Sequence, residues 1–351
     1  MYDILTIGTA TRDVFLTSPL FKIVRDPKHL EKLGFPTGEA QCFALGGKIE
    51  VERMVATVGG GAANVAVTFA RQGFRAATAV AIGADLPGRV VQEELKREKI
   101  TVFPALHKEK GTAFSNILLS PSGERTILNY RGASADLSLR DIPRRAFQAR
   151  WAYIAPGHIP FGTMQKIVHA LARNKVMIAM NPSQYYVRMG MRKLAPLFRH
   201  LAVILVNREE AASLTGYAYH EEKKIFKKFD ELVQGIAVMT EGPKGVLVSD
   251  GARIYRAGIF KGKVVDRTGA GDAFGSGFVA GLMANGKGQG ARGERKRAQF
   301  APSDLQFAIR LGTANATSVV ERIGAQEGIL TRSAFRAQAR FRHLAVKVSA
   351  L

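Results

Sequence analysis

A chain of 351 residues with 46% hydrophobic content carries enough apolar side chain for one large α/β core or two smaller ones, which excludes a disordered protein. A single cysteine, Cys42, excludes an internal disulfide framework and a cysteine metal cluster, and no apolar run approaches the ~20 residues of a membrane helix, so a soluble cytoplasmic protein with no membrane partner is expected. The 51 Lys and Arg against 29 Asp and Glu leave a formal net charge of +22, a field that draws phosphorylated ligands, nucleic acids and anionic surfaces without selecting among them.

The chain opens on a short apolar strand over 2–8, and residues 9–13 are expected to turn out of it. That places Asp13 just past a strand end, where open α/β sheets bind their ligands; the same residue also serves as an ordinary turn former. From 17 to 57 the helical pattern is poor, broken by Pro19, Pro27, Pro36 and several glycines, with alternation only near 48–55. Residues 58–73, VGGGAANVAVTFARQG, read as a glycine turn at Gly59, Gly60 and Gly61 feeding a helix with Asn64 in its first turns. Exposed amides plus an Asn side chain suit a polyhydroxylated ligand, and a close-packed helix start explains the same string.

A strand over 77–82, a helix over 89–99 and a hairpin formed by 112–119 and 125–130 around Ser122-Gly123 follow. Strands at 151–154, 176–180, 203–206, 235–240 and 245–249, with a helix at 163–174, predict right-handed crossovers and a mostly parallel sheet. Asn207 and Glu210 stand three residues apart at a helix start. They form a cap, face one metal-bound water, or do both. A helix is expected from Ser303 and Asp304 to about Glu321, and the closing 334–351 is basic and mildly amphipathic. Lys287 to Arg297, KGQGARGERKR, reads as a solvated basic surface loop spanning about 285–300, so nucleic acid is not an expected partner.

The most informative stretch is 264–283, VVDRTGAGDAFGSGFVAGLM, which reads as a strand end, a glycine turn and the start of a helix. Gly269 and Gly271 leave first-turn amides open toward an anion at the positive end of the helix, and Asp272 lies within that cup, placed to accept a proton from a hydroxyl. A tight turn with an Asp cap is the plainer account of Gly-Ala-Gly-Asp alone. The histidines show no zinc spacing, no Walker-A string is present, and the glycine clusters lack the dinucleotide fingerprint with its partner acid.

The full string Asp266, Arg267, Thr268, Gly269, Ala270, Gly271, Asp272 resembles the Asp-Thr-Thr-Gly-Ala-Gly-Asp signature of the ribokinase (PfkB-type) family of carbohydrate and nucleoside kinases, departing from it at Arg267. Gly59, Gly60 and Asn64 resemble its Gly-Gly-x-x-x-Asn, Gly8 to Asp13 its Gly-x-x-x-x-Asp, Asn207 and Glu210 its Asn-x-x-Glu, and Thr240, Gly242 and Gly245 its Thr-x-Gly-x-x-Gly. Gly83, Asp85 and Gly88, a structural turn, and Asn181-Pro182 match further short patterns.

The resemblance implies a three-layer α/β/α fold, one domain over 1–351 with a mostly parallel central sheet, and a small β-sheet lid drawn from about 14–57 and 112–131. It implies transfer of the γ-phosphoryl of ATP to a hydroxyl of a ribose-, fructose- or hexose-type sugar, or alternatively of a nucleoside. Asp272 would be the general base, with the amides of Gly269, Ala270 and Gly271 as anion hole; Asp13, Gly59, Gly60 and Asn64 would bind the acceptor. Asn207, Thr240, Gly242 and Gly245 would bind the nucleotide, Asn315 would line the adenine pocket, and Glu210 would hold Mg²⁺ through water. Many members also bind a monovalent cation such as K⁺; Asp266, Thr268 and Gly324 would form part of that site, with Gly328 where a hydroxyl residue is common. The long first lid segment would reshape acceptor choice or build a homodimer contact. The alternative of another class is a non-catalytic, kinase-derived protein that senses a sugar or binds nucleic acid.

Overall fold

A computed structural model describes residues 1–35, 38–120, 125–233, 235–285 and 300–351. The basic loop expected at 287–297 and the hairpin turn at Ser122-Gly123 lie outside the described residues.

Ile4–Gly8 and Ala76–Gly83 are buried along their whole length, as strands covered on both faces must be. Alternate side chains feed two layers: Ile4, Trp151 and Tyr153 enter one apolar cluster, while Leu5, Ile7, Ala152 and Ile154 enter the other. Among the described residues these strands belong to a ten-stranded sheet. Seven of its described strands run parallel, in spatial order Ile236–Thr240, Leu201–Asn207, Met177–Met180, Trp151–Ala155, Ile4–Gly8, Ala76–Gly83 and Thr101–His107. Val246–Ser249, Arg253–Ala257 and Val346–Ala350 extend it with antiparallel pairing.

Thr101–His107 is not predicted from the sequence, because Pro104 interrupts it; proline is tolerated at an edge, where this strand lies. The helices Gly190–Phe198 and Glu222–Asp230 are also unpredicted, as is the strand Val346–Ala350 within the basic closing segment.

A separate sheet, four-stranded among the described residues, is ordered Arg53–Gly59, Thr11–Thr17, Ala113–Leu119, Arg125–Tyr130. Two sequence expectations change here. Asp13 is inside a strand rather than in a turn, and the alternation near 48–55 is the approach to a strand that starts at Arg53 and runs to Gly59. Thr11–Thr17 takes its extended form from partners on both sides, antiparallel to Arg53–Gly59 and parallel to Ala113–Leu119. A third correction concerns Val264 and Val265, which are exposed and outside any strand; the segment is anchored instead by the amides of Val265 and Asp266 on the carbonyl of Val320.

The helix Ala270–Asn285, called here the glycine helix, is apolar around its circumference and lies in the core, so it is packed on every side. Its glycines make that approach feasible. A β-carbon at Gly281 would stand 2.5 Å from Ala308 Cα, and one at Gly277 would stand 3.0 Å from Gly312 Cα, both on the helix Pro302–Val320. Among the described residues no helix is long and apolar enough to cross a membrane. Replacing Gly281 by Val forces these helices apart and is expected to cost about 1–3 kcal/mol, read as a lower urea midpoint at unchanged slope.

Candidate active site

The site is built at the C-terminal edge of the parallel strands. Gly8 closes the first strand beside Ala155, and the chain then passes directly to the small sheet through Thr9 and Ala10. The return passes through three glycines. A β-carbon on Gly59 would fall 1.9 Å from Asp13 Oδ2, so its absence lets the carboxylate lie against the strand end. Gly60 has φ of 91° and no room for a side chain against the backbone of Thr9 and Ala10. Gly61 opens the helix Gly61–Arg71 and donates its amide to Thr9 Oγ1 at 3.1 Å.

Asn64, in the first turn of that helix, donates Nδ2 to Asp272 Oδ2 at 2.9 Å and accepts from Gln326 Nε2 at 3.0 Å. Asp272 lies in the first turn of the glycine helix. Two helix starts, far apart in sequence, therefore meet at one carboxylate. Burial pushes the Asp272 carboxyl above its ordinary value, the Asn64 hydrogen bond opposes this, and the charge of Asp13 adds to it. Gly269 adopts φ of 75°, and the helix makes an i→i−4 bond from Ala273 N to Gly269 O. The amides of Gly271 and Asp272 come before it, among the first-turn donors that a helix leaves without an internal partner. Nothing lies within 4 Å of where a Gly271 β-carbon would be, so this backbone faces open space.

Asp13 is 7% exposed and accepts from Thr11 Oγ1 at 2.8 Å. Burial is the largest influence on it and raises its pKa; bonds from Thr11 and Ser115 and the charge of Arg12 oppose, while Asp266 adds to the rise. Ser115 was not predicted as a site residue. Its signal was its place on the buried parity of Ala113–Leu119, between Ala113 and Ile117. Asp13 is also in register with Thr57, and Ser115 with Asn129, so a polar row of Thr57, Asp13, Ser115 and Asn129 crosses the small sheet on one face. Thr57 Oγ1 is buried and has no hydrogen-bond partner among the described residues.

Asp266, 4% exposed, accepts from Thr268 N at 2.9 Å, Thr268 Oγ1 at 2.7 Å and Gly324 N at 3.1 Å. Arg125 Nη1 lies 3.7 Å from its Oδ1.

Farther along the same sheet edge, Asn207 and Thr240 are register partners at the ends of neighbouring strands. Asn207 and Glu210 form a reciprocal capping box, with Glu210 N on Asn207 Oδ1 at 2.8 Å and Asn207 N on Glu210 Oε2 at 2.9 Å. Burial raises the Glu210 carboxyl, the Asn207 amide lowers it, and Glu209 raises it. Gly242 and Gly245 take φ of 54° and 102°, turning the chain back so that Glu241 N reaches Gly245 O. The sequence reading missed a brace between these two turns: Arg208 pairs with Glu241 and Glu222, and Arg256 with Glu222. Its signal was a pair of opposite charges inside the two motifs, Arg208 next to Asn207 and Glu241 next to Thr240.

Asn315 is a correction. It is wholly buried, with Nδ2 donating to Ala273 O and Thr68 Oγ1 and Oδ1 accepting from Leu330 N. Both ends of its amide are used, so it latches two helices and the closing turn together and lines no adenine pocket. The side chains of the helix Pro302–Val320 and its cap that face Gly262 are Thr317 and Glu321.

A sequence profile of the pfkB family carbohydrate kinases matches residues 34–332. The chain belongs to that family. It is 28% identical over 285 residues to a ribokinase of Haemophilus influenzae, covering 78% of this chain and 84% of that protein. It is 27% identical over 280 residues to a cytidine kinase of Thermococcus kodakarensis, covering 78% and 91%. The structure of a ribokinase from Thermotoga maritima superposes with a TM-score of 0.73 at 23% identity, covering 96% and 99%, a likeness of fold. As a pfkB-family member the chain is a sugar or nucleoside kinase, a phosphotransferase acting on a hydroxyl group.

Because the Asn64 hydrogen bond favours the ionised carboxylate, Asn64→Ala is expected to move the Asp272 midpoint to higher pH. Carbon-13 NMR of the carboxyl group measures this directly; an unchanged midpoint would show that the bond does not act on Asp272.

Proposed function

We propose that the protein transfers the γ-phosphoryl group of ATP to a hydroxyl of a sugar, with Asp272 as general base. One observation carries this reading: Asp272, at the open end of the glycine helix, is bonded to Asn64 and lies close enough to Asp13 for the two charges to interact. Asp13 and Asn64, with the backbone of Gly59 and Gly60, would orient the acceptor hydroxyls. Asp272 would take the proton of the attacking hydroxyl, and the amides of Gly269, Ala270 and Gly271 would meet the charge on the moving group. The polar row Thr57, Asp13, Ser115 and Asn129 supports a polyhydroxylated acceptor, since each residue offers a hydroxyl, amide or carboxylate from one face.

The residues present fit a nucleotide: Gly242, like Gly271, has open space where a side chain would stand, so phosphates could approach either backbone. Asn207, Thr240 and Gly245 would complete that side, and Glu210 would hold Mg²⁺ through water. Mg²⁺ would neutralise phosphate charge. The small sheet would act as a lid that excludes water from transfer. Its outer face exposes Met54, Leu128 and Tyr130, which supports contact with a second copy of the chain; sedimentation of the full chain as a monomer at all concentrations would remove that dimer.

Nucleosides are the second reading, favoured by the likeness to the cytidine kinase. A panel of sugars and nucleosides assayed for ADP release separates the two, and no release with any acceptor would sink both. Asp272→Asn is expected to lower kcat by about two to four orders of magnitude. The base works only when ionised, so activity is lost as pH falls through the Asp272 pKa, and burial places that acid limb above the ordinary aspartate range. Near-normal kcat in the variant would remove Asp272 from the mechanism.

A further inference from the structure

We propose that Arg125 supplies the positive charge at Asp266 in place of a bound monovalent cation, so that the chain works without potassium. The Asp266 carboxylate is buried three residues before Gly269, next to the turn on which phosphoryl charge would develop. A buried negative charge there needs a counter-charge. The groups aimed at its oxygens are donors: Thr268 N, Thr268 Oγ1 and Gly324 N, with the Arg125 guanidinium 3.7 Å away. A hard cation requires acceptor oxygens to converge instead.

A second observation points the same way. The family resemblance puts a hydroxyl residue of the cation site at the position of Gly328, and a β-carbon there would stand 2.1 Å from Ser318 O. Neither side chain nor space exists at that point. Arginine suits the substitution because it stays charged at every working pH and is weakly hydrated, so it can sit against a carboxylate that is itself almost fully enclosed. The side chain of Arg125 is 33% exposed and that of Asp266 1%, which places the guanidinium at the rim with its charge directed inward.

Arg125 begins the outermost strand of the small sheet, in register with Leu119. The pair therefore joins the far edge of that sheet to the loop that feeds the glycine helix. A bound ion would neutralise Asp266 whatever the position of the sheet. The arginine neutralises it only when the sheet is seated, so counter-charge and sheet position become one variable.

The test uses the full chain in potassium chloride and in choline chloride at equal ionic strength. The wild-type melting midpoint is expected to be the same in both salts. Arg125→Ala is expected to melt about 2–4 °C below the wild type, equally in both salts, because no acceptor oxygens converge there to hold potassium once the side chain is gone. The proposal rests on the kinase reading for its second readout alone: with an acceptor found by the ADP-release panel, wild-type turnover should be equal in the two salts. Arg125→Ala should fall by about tenfold in both salts. A potassium-specific midpoint shift or activation in the wild type overturns the proposal, and so does an Arg125→Ala chain that keeps the wild-type midpoint. Arg125→Lys, which keeps the charge, should remain indifferent to potassium and serves if the alanine variant does not fold. If no acceptor is phosphorylated the kinase reading fails, while the melting comparison still decides the role of Arg125.

Discussion

The hydrogen bond from Asn64 to Asp272 joins two helix starts that the chain makes on opposite sides of most of its length. Each start depends on glycine for a different physical reason. Gly59 yields space to a carboxylate, Gly60 supplies a left-handed backbone, and Gly269 supplies another. The positive ends of both helices are directed to one place, and that place holds carboxylates from both the glycine helix and the small sheet. Without the tie, Asp272 would be a buried charge with less to stabilise its ionised form.

The layers beneath serve this arrangement. Small residues in Ala76–Gly83 and in the glycine helix let the sheet and two helices pack closely, with Tyr153 beneath Gly275 and Ala308 against Gly281. Asn315 closes the same layer by bonding across to Ala273 and Leu330. It is a polar residue in an apolar interior whose donors and acceptor all find partners, which is why it can be buried there.

Local pattern made the parallel core legible, because fully covered strands read as short apolar runs and glycine-to-helix junctions have strong chemical signatures. The pairing of Asn64 with Asp272 was not legible from either motif alone; each string is consistent with a plain helix start. Asp13 was misread as a turn residue because extended structure at Thr11–Thr17 is imposed by Arg53–Gly59 and Ala113–Leu119, partners distant in sequence. Asn315 was misread because position along a helix does not say which neighbours surround a side chain. Thr101–His107 was hidden by its proline, and Glu222–Asp230 by a surface rich in lysine whose buried face is only Ile225, Phe226 and Phe229.

The brace of Arg208 with Glu241 has a bearing on how this molecule can change. Their side chains are 11% and 4% exposed, so removing one leaves the other buried with only a longer contact, Arg208 to Glu222 or Glu241 to Arg256. The turn after Leu201–Asn207 and the turn after Ile236–Thr240 are thereby one mechanical unit. Drift at this end of the sheet costs least when both members are exchanged together, which makes the spacing between the two turns harder to alter than the residues that flank them.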